Sequence, residues 1–284
     1  VADKDERSVE EGQRLLRYEV LIPAHGESVK QIETLLLAIF FQRSVKHRLS
    51  RVFLCSDSQV IQEAFQDRSS IHFIFQKWKC GKPDAVNLML AEAAADVCIQ
   101  VSADCLPASE NTFDYLLSSL SREDVGAVTS CPVPSNAGFM FLPNIVWKCH
   151  EYVQPKLNAE LYAFKRKLVG PLPLSVVHDD AFIHAVLLRK GFQVVYEPRA
   201  MVFNSVPETL EEFYIQRKKN VIGNLQLLTE FRLEIPRAMR LRSLLLMSLE
   251  LLANVHGQLD YVRGKIPKGL IGYNLETTKE VKVK

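Results

Sequence analysis

Paired cysteines are the first thing this sequence lacks. Its six cysteines, at positions 55, 80, 98, 105, 131 and 149, form no CxxC pair, which argues against a thiolate zinc site and a disulfide framework and points to a reducing, cytosolic compartment. It also has little charge of one sign. With 35 basic and 33 acidic residues the formal net charge is +2, too small for a nucleic-acid partner held by bulk electrostatics. No GxGxxG follows the first apolar strand, which disfavours a nicotinamide dehydrogenase, and no GxxxxGK[ST] occurs, so there is no P-loop. Internal repeats and low-complexity segments are absent. The start, Val1-Ala-Asp-Lys-Asp-Glu-Arg-Ser8, is charged rather than basic and then apolar, and shows no signal peptide. It also lacks an initiator Met, so a trimmed or processed chain is expected.

What is present is enough apolar material for a full core: 48% of the 284 residues are hydrophobic. Apolar strands alternate with helical spacings. The core begins at Arg17-Tyr18, and its first strand, which runs directly into Pro23, precedes a helix with Ile32, Leu35, Leu36, Ile39 and Phe40 at helical spacing, capped by Ser28. Val52 to Cys55 precedes a short helix over Val60 to Phe65, and Ile71 to Phe75 precedes one over Asp84 to Ala95. Val97 to Val101 leads to a helix from Asn111, and Val125 to Ser130 to a helix-like, aromatic-rich run over Phe139 to Val153. Strands at Leu161 to Phe164 and Phe192 to Tyr196 flank a helix at Ala181 to Arg189. From Leu210 the chain reads as helical, with a break at Pro236. This alternation predicts an α/β fold, a mostly parallel central sheet with helices on both faces. The expected division is a charged leader over 1–16, one main domain over 17–232, and a helical appendage and tail over 233–284.

Several strands end in polar clusters, where open α/β sheets collect their ligands. Val97 to Val101 runs into Ser102, Ala103 and Asp104, a lone carboxylate at a strand exit. Alone, such an acid merely opens a turn. It has company, however. Pro23-Ala-His-Gly-Glu27 follows the first strand, with Gly26 allowing close backbone approach to a ligand, and Asp57 ends the second strand. Gly81 and Lys82 put a flexible backbone, a cation and a helix N-terminus in one place, which suits phosphate or carbonyl oxygens. His178-Asp179-Asp180 opens a helix; an Asp there is also a routine N-cap. Two adjacent acids can raise one another's pKa, which suits a general base.

The segments VLIPAHGES, CGKPDAVN, VSADCLP, HDDAFI and QRKKN resemble, in kind and order, the motifs of family 2 inverting glycosyltransferases of the GT-A (Rossmann-like) fold. The resemblance spans roughly residues 18 to 225. It implies that Pro23, Ala24, His25 and Glu27 touch the nucleotide's base and ribose and that Asp57 contacts the base. Gly81, Lys82, Ala85 and Asn87 match the family's GKxxAxN pattern. Asp104 takes the place of the last acid of the DxD motif, beside Ala103, as the ligand of Mg²⁺ or Mn²⁺, while Ser102 replaces the first acid. Asp180 takes the place of the catalytic acid, through a register that reaches Gly191, and Asp179 that of its acidic partner. Gln216, Arg217 and Lys219 resemble the QxxRW motif that meets a diphosphate or an anionic acceptor, with Lys219 standing for the arginine and Asn220 for the tryptophan. His150, Trp147 and Glu160 fall in the variable middle that would line the acceptor side.

The implied reaction is inverting transfer of a sugar from a nucleotide-sugar donor, UDP- ahead of GDP-, to a glycan, lipid hydroxyl or lipid-phosphate acceptor. A nucleotidyltransferase and a non-catalytic sugar-nucleotide-binding protein are the competing readings, the latter motivated by Ser102, Lys219 and Asn220. One more feature bears on the partner. Leu241 to Val255 holds apolar residues over about fifteen positions, interrupted by Glu250, where a span needs about 20. Arg232, Arg237, Arg240 and Arg242 flank its start, and Lys265 and Lys268 lie beyond its end. Packing on the main domain is the first reading of this segment, and peripheral association with an anionic membrane surface the second.

Overall fold

The computed structural model describes residues 15–44, 46–78, 80–135, 156–233, 255–260 and 262–263. Among these an eight-stranded sheet runs in the order β3-β2-β1-β4-β7-β6-β8-β5. Its strands are β1 (Arg17–Ala24), β2 (Arg48–Ser56), β3 (His72–Phe75), β4 (Val97–Val101), β5 (Leu106–Pro107), β6 (Val125–Pro134), β7 (Leu161–Lys165) and β8 (Gln193–Asn204). The helices are α1 (Val29–Phe40), α2 (Gln59–Phe65), α3 (Lys82–Glu92), α4 (Thr112–Leu120), α5 (Asp179–Arg189) and α6 (Leu210–Thr229).

The sheet is mixed. β1, β2, β3 and β4 are mutually parallel, and β6 pairs in parallel with β8. β7 is inserted antiparallel between β4 and β6, and the two-residue β5 pairs antiparallel with β8 at the edge, where a proline is tolerated. The strands at the centre are buried on both faces, which is why β4 is apolar at every position but Gln100 rather than alternating. One core layer packs α1 and α4 on one face through Ile32, Leu35, Ile39, Phe113 and Leu117; the other packs α3 and α5 through Val86, Met89, Ile183 and Leu187.

Ser28 caps α1 in a capping box with Gln31, as its position suggests. Other bounds differ from the sequence reading. α3 begins at Lys82, because Gly81 turns the chain with φ 87° and Pro83 is pre-set for a first helical turn. It stops at Glu92, where Ala93 is extended and the buried Glu19 carboxylate accepts the N–H groups of Ala94 and Ala95 at 2.8 and 3.0 Å. α5 begins at Asp179, two residues before the expected Ala181, so both acids lie inside its first turn and His178 is the cap. β8 continues to Asn204, well past Tyr196, by re-pairing with β6 across a register shift. The expected helix-like run Phe139 to Val153, with Trp147 and His150, lies outside the described residues. So do Pro236, residues 241–254 with Glu250, and, Arg232 apart, the basic residues expected to flank that segment. The described residues 255–260 are helical and rest on α6 through Tyr214 to His256 and Lys218 to Asp260 contacts. Among the described residues no helix is long and apolar enough to cross a membrane.

Candidate active site

The carboxyl ends of β1, β2 and β4 deliver the predicted donor side. After β1, the backbone N–H of His25 donates to the Glu27 carboxylate, and the His25 ring nitrogen Nδ1 lies 2.7 Å from Asp57 Oδ1 at the end of β2. The two loops are thereby tied into one surface. Pro23 and Ala24 are buried in the strand, so they present backbone rather than side chains. At the end of β4, Asp104 is exposed while Ala103 is buried. Ser102 does not face outward as a stand-in for an acid: its hydroxyl donates to the Ala159 carbonyl at 2.7 Å and its N–H to the Glu160 carbonyl at 2.9 Å. It stitches β4 to the start of β7. The expected ligand role therefore falls to Asp104 alone at this strand end.

Carboxylates crowd this edge. Burial, then Asp104, lifts the Glu27 carboxyl to about 7. Glu160 also stands at about 7, through burial first and the nearby Asp180 and Asp104. Among the described residues no three His, Cys, Asp or Glu side chains converge to hold an ion unaided. The donor set instead fits a hard divalent cation held by one or two carboxylates, its shell completed by phosphate oxygens and water.

The two acids of α5 have separate partners. Asp179 Oδ2 accepts from Gln100 Nε2 at 3.0 Å and pairs with Lys82 Nζ at 3.2 Å. Asp180 Oδ2 lies 3.5 Å from Lys156 Nζ, and its Oδ1 is buried with no hydrogen-bond partner among the described residues. The expectation that the adjacent acids raise one another is overturned for Asp180. Burial alone would raise it, but Lys156 first, with Lys82 and the Ala181 N–H behind it, outweighs burial and holds the carboxyl below its ordinary value. It is an ionised carboxylate with one oxygen engaged and one bare. Lys82, for which burial works the other way, is carried above its usual value by Asp179 and Asp180.

The loop carrying these acids is clamped from both sides. Asn87 on α3 donates to the Leu172 carbonyl at 2.8 Å and accepts its N–H at 2.7 Å. Gln226 on α6 accepts from Val177 N–H at 3.0 Å and donates to the Ser175 carbonyl at 2.8 Å. Asn87 of the GKxxAxN pattern thus positions the acid loop. Of the α6 residues, Lys219 belongs with the acids: burial, then Lys82, lowers its pKa, against the pull of Asp179 and Asp180. Arg217 is buried with its guanidinium over the Phe213 ring, and its Nη2 donates to Gln216 at 3.1 Å. Three participants were missed by sequence reasoning: Lys156, Gln100 and Gln226. Lys156 sits in no motif, and Gln100 is a polar residue at an inward position of β4, the one local sign that it serves something.

The fold has known counterparts. The fold is shared with the mannosyltransferase PcManGT from Pyrobaculum calidifontis, solved in complex with GDP-Man and Mn²⁺, at TM-score 0.65 and 19% identity over 88% of this chain and 75% of that one. GalNAc-T7, solved with UDP, GalNAc and Mn²⁺, matches at TM-score 0.55 and 12% identity over 68% of this chain and 43% of that one. A mycobacterial protein matches at TM-score 0.51 and 14% identity over 72% and 73%. At these identities the likeness is one of fold. No curated protein matches the sequence. Residues 126–261 match the model for glycosyl transferase family group 2, a span that begins in β6 and takes in β7, α5, β8 and α6. The chain thus shares the α/β architecture of the GT-A enzymes, and over residues 126–261, the part that carries Asp179 and Asp180, its sequence is similar to the family 2 glycosyltransferases.

Proposed function

We propose that the protein transfers a sugar from a nucleoside-diphosphate donor to an acceptor hydroxyl or lipid phosphate, inverting the anomeric carbon. The observation that carries this reading is the division of labour on α5. Asp179 is paired with Lys82 and hydrogen-bonded by Gln100 through one oxygen, whereas Asp180, paired with Lys156 through Oδ2, keeps a buried Oδ1 with no hydrogen-bond partner among the described residues. With a hydroxyl acceptor, Asp180 takes the proton as the acceptor oxygen attacks. His25, Glu27 and Asp57 form the surface for the base and ribose. Gly81 and Lys82 stand at the N-terminus of α3, which favours donor oxygens. Lys219, whose charge is poorly compensated, gains most from an arriving diphosphate, and Gln216 and Arg217 support that side of α6. Asp104 would hold Mg²⁺ or Mn²⁺, which would offset charge on the departing diphosphate. The solved relatives carrying GDP-Man or UDP with Mn²⁺ support both the donor class and the metal, and leave UDP and GDP as the two nucleotides to try first.

A screen of UDP- and GDP-sugars with Mn²⁺ or Mg²⁺ tests the reading, with released nucleoside diphosphate as the readout. Release of pyrophosphate instead would make the protein a nucleotidyltransferase, and no release with any donor that binds would leave a sugar-nucleotide-binding protein. Calorimetry of Asp104→Asn should show loss of most metal-dependent nucleotide affinity. Wild-type affinity that is the same with and without EDTA would remove the metal from the proposal.

A further inference from the structure

His178 is used by neither the clamped loop nor the proton transfer to Asp180, yet its placement is costly to arrange. It is the cap residue of α5, but its side chain does not cap the helix. The ring crosses to α6 instead, where Nε2 lies 3.2 Å from the Lys219 carbonyl oxygen. The crossing requires Gly223: a Cβ added there would stand 1.7 Å from His178 Cδ2 and 2.5 Å from Nε2. The ring therefore rests directly on helix backbone, at a spot where any larger side chain would displace it.

The carbonyl fixes the tautomer. It has no hydrogen to give, so Nε2 carries the proton and donates it, and Nδ1 of the neutral ring is left as a lone pair. Burial lowers the ring's pKa to about 4, against the pull of Asp180 and with the help of Lys156 and Lys219, so the neutral form is the working one. Nδ1 faces Asp180 Oδ1 at 4.0 Å. That oxygen is the bare, buried one. Two hydrogen-bond acceptors, neither holding a proton, thus look toward one another across a gap too wide for a direct bond.

We infer that His178 Nδ1 and Asp180 Oδ1 form a paired seat for two neighbouring hydroxyls of a neutral polyol acceptor, and that His178 is a substrate-binding residue of the transfer site. The inference rests on the glycosyl-transfer reading and decides between its two acceptor classes. A phosphate monoester brings acceptor oxygens and negative charge to two lone pairs and satisfies neither. A lone hydroxyl has one hydrogen and satisfies only one. Two adjacent hydroxyls of a sugar ring serve both, each oxygen lying about 2.8 Å from its own acceptor. In the reaction, the hydroxyl on Asp180 gives its proton to Oδ1 while its oxygen forms the new glycosidic bond. The bond from the anomeric carbon to the diphosphate oxygen breaks, and its electron pair leaves with the nucleoside diphosphate. The neighbouring hydroxyl keeps its proton and its hydrogen bond to Nδ1.

The test uses methyl hexopyranosides with adjacent hydroxyls, the matching monodeoxy glycosides, and farnesyl phosphate. In wild type, deleting the neighbouring hydroxyl should raise the acceptor KM about tenfold, with the donor KM shifting less than twofold. In His178→Ala that deoxy penalty should vanish, the non-additive signature of a direct contact; Gly223→Ala, which pushes the ring away, should behave alike. A penalty of equal size in wild type and His178→Ala, or efficient transfer to farnesyl phosphate unaffected by His178→Ala, overturns the seat while leaving glycosyl transfer standing. A second readout needs neither donor nor turnover. In ¹⁵N-histidine-labelled protein, His178 should show the Nε2–H tautomer, with an Nδ1 resonance that moves on adding the parent glycoside and moves less with the deoxy compound. An Nδ1–H tautomer, or a resonance unmoved by every glycoside, overturns the inference even if the transfer reading itself has failed.

Discussion

At the scale of single residues, the site works by giving each charge a different degree of satisfaction. Asp179 and Asp180 are neighbours in sequence and both are buried, yet one is bonded to Gln100 and Lys82 while the other has an oxygen with no hydrogen-bond partner among the described residues. Replacing Asp180 with Asn leaves shape and volume nearly unchanged and removes only the ability to take a proton. Asp180→Asn should therefore cut kcat with a hydroxyl acceptor by roughly two to four orders of magnitude. Nucleotide affinity, read by calorimetry, should hold within a few-fold. A variant that turns over at the wild-type rate would assign Asp180 to orientation alone. The sequence makes both acids visible as candidates but cannot rank them, because the ranking comes from Lys156 and Gln100. A single lysine between Pro155 and Leu157 carries no pattern, and it gains meaning only when β7 sets its neighbourhood beside α5. The same limit explains Ser102. Sequence reading could note that a carboxylate was replaced, and only the structure shows the hydroxyl turned to the Ala159 carbonyl.

At the scale of elements, the acid loop before α5 behaves as a strap held by two amide side chains, Asn87 from α3 and Gln226 from α6. Asn87→Ala removes both bonds to Leu172 and leaves that residue's N–H and carbonyl to find other partners, so it should destabilise the protein by about 1–3 kcal/mol in urea denaturation. Asn87→Asp keeps the acceptor for the Leu172 N–H and should recover part of that loss, whereas a purely nucleotide-binding role for Asn87 would leave unfolding of the free protein untouched. Helices α1, α2 and α4 were legible from apolar spacing and caps, and β1, β2 and β4 from apolar runs ending in polar clusters. The antiparallel course of β7 was not. Leu161-Tyr-Ala-Phe-Lys165 has the same composition whichever way it runs, and direction is fixed by pairing with Val97–Val101 and Ala127–Thr129, far away in the chain. The start of α5 was misplaced for a local reason: the acids resemble caps, and His178 takes the cap position while sending its ring elsewhere.

At the scale of the whole molecule, the crowded carboxylates make stability depend on pH with a sign opposite to that of ordinary surface acids. Glu160 is raised from 4.5 to about 7, first by burial and then by Asp180 and Asp104, and Glu27 is raised over the same interval, first by burial and then by Asp104. Across that interval the folded chain holds protons that the unfolded chain has released, so stability is highest at the acid end and falls as pH rises toward 7. In metal-free protein, Tm should decline between about pH 5 and about pH 7 from these two groups, and Glu160→Gln should flatten the decline substantially. An unchanged slope in that variant would assign the titration elsewhere. The insertion of β7 has a separate consequence. Because it runs against its neighbours, its first residue pairs with the last residue of β4, while β6 reaches its own carboxyl end on the same side of the sheet. The chain thus leaves the sheet after β6 and re-enters it at β7 along one rim, beside Glu160 and Lys156. For protein engineering this is a natural graft site. Because both junctions are pinned by pairing on that rim, exchanging the chain between Pro134 and Lys156 should leave strand order and register unchanged, which the circular dichroism and Tm of such chimaeras would check.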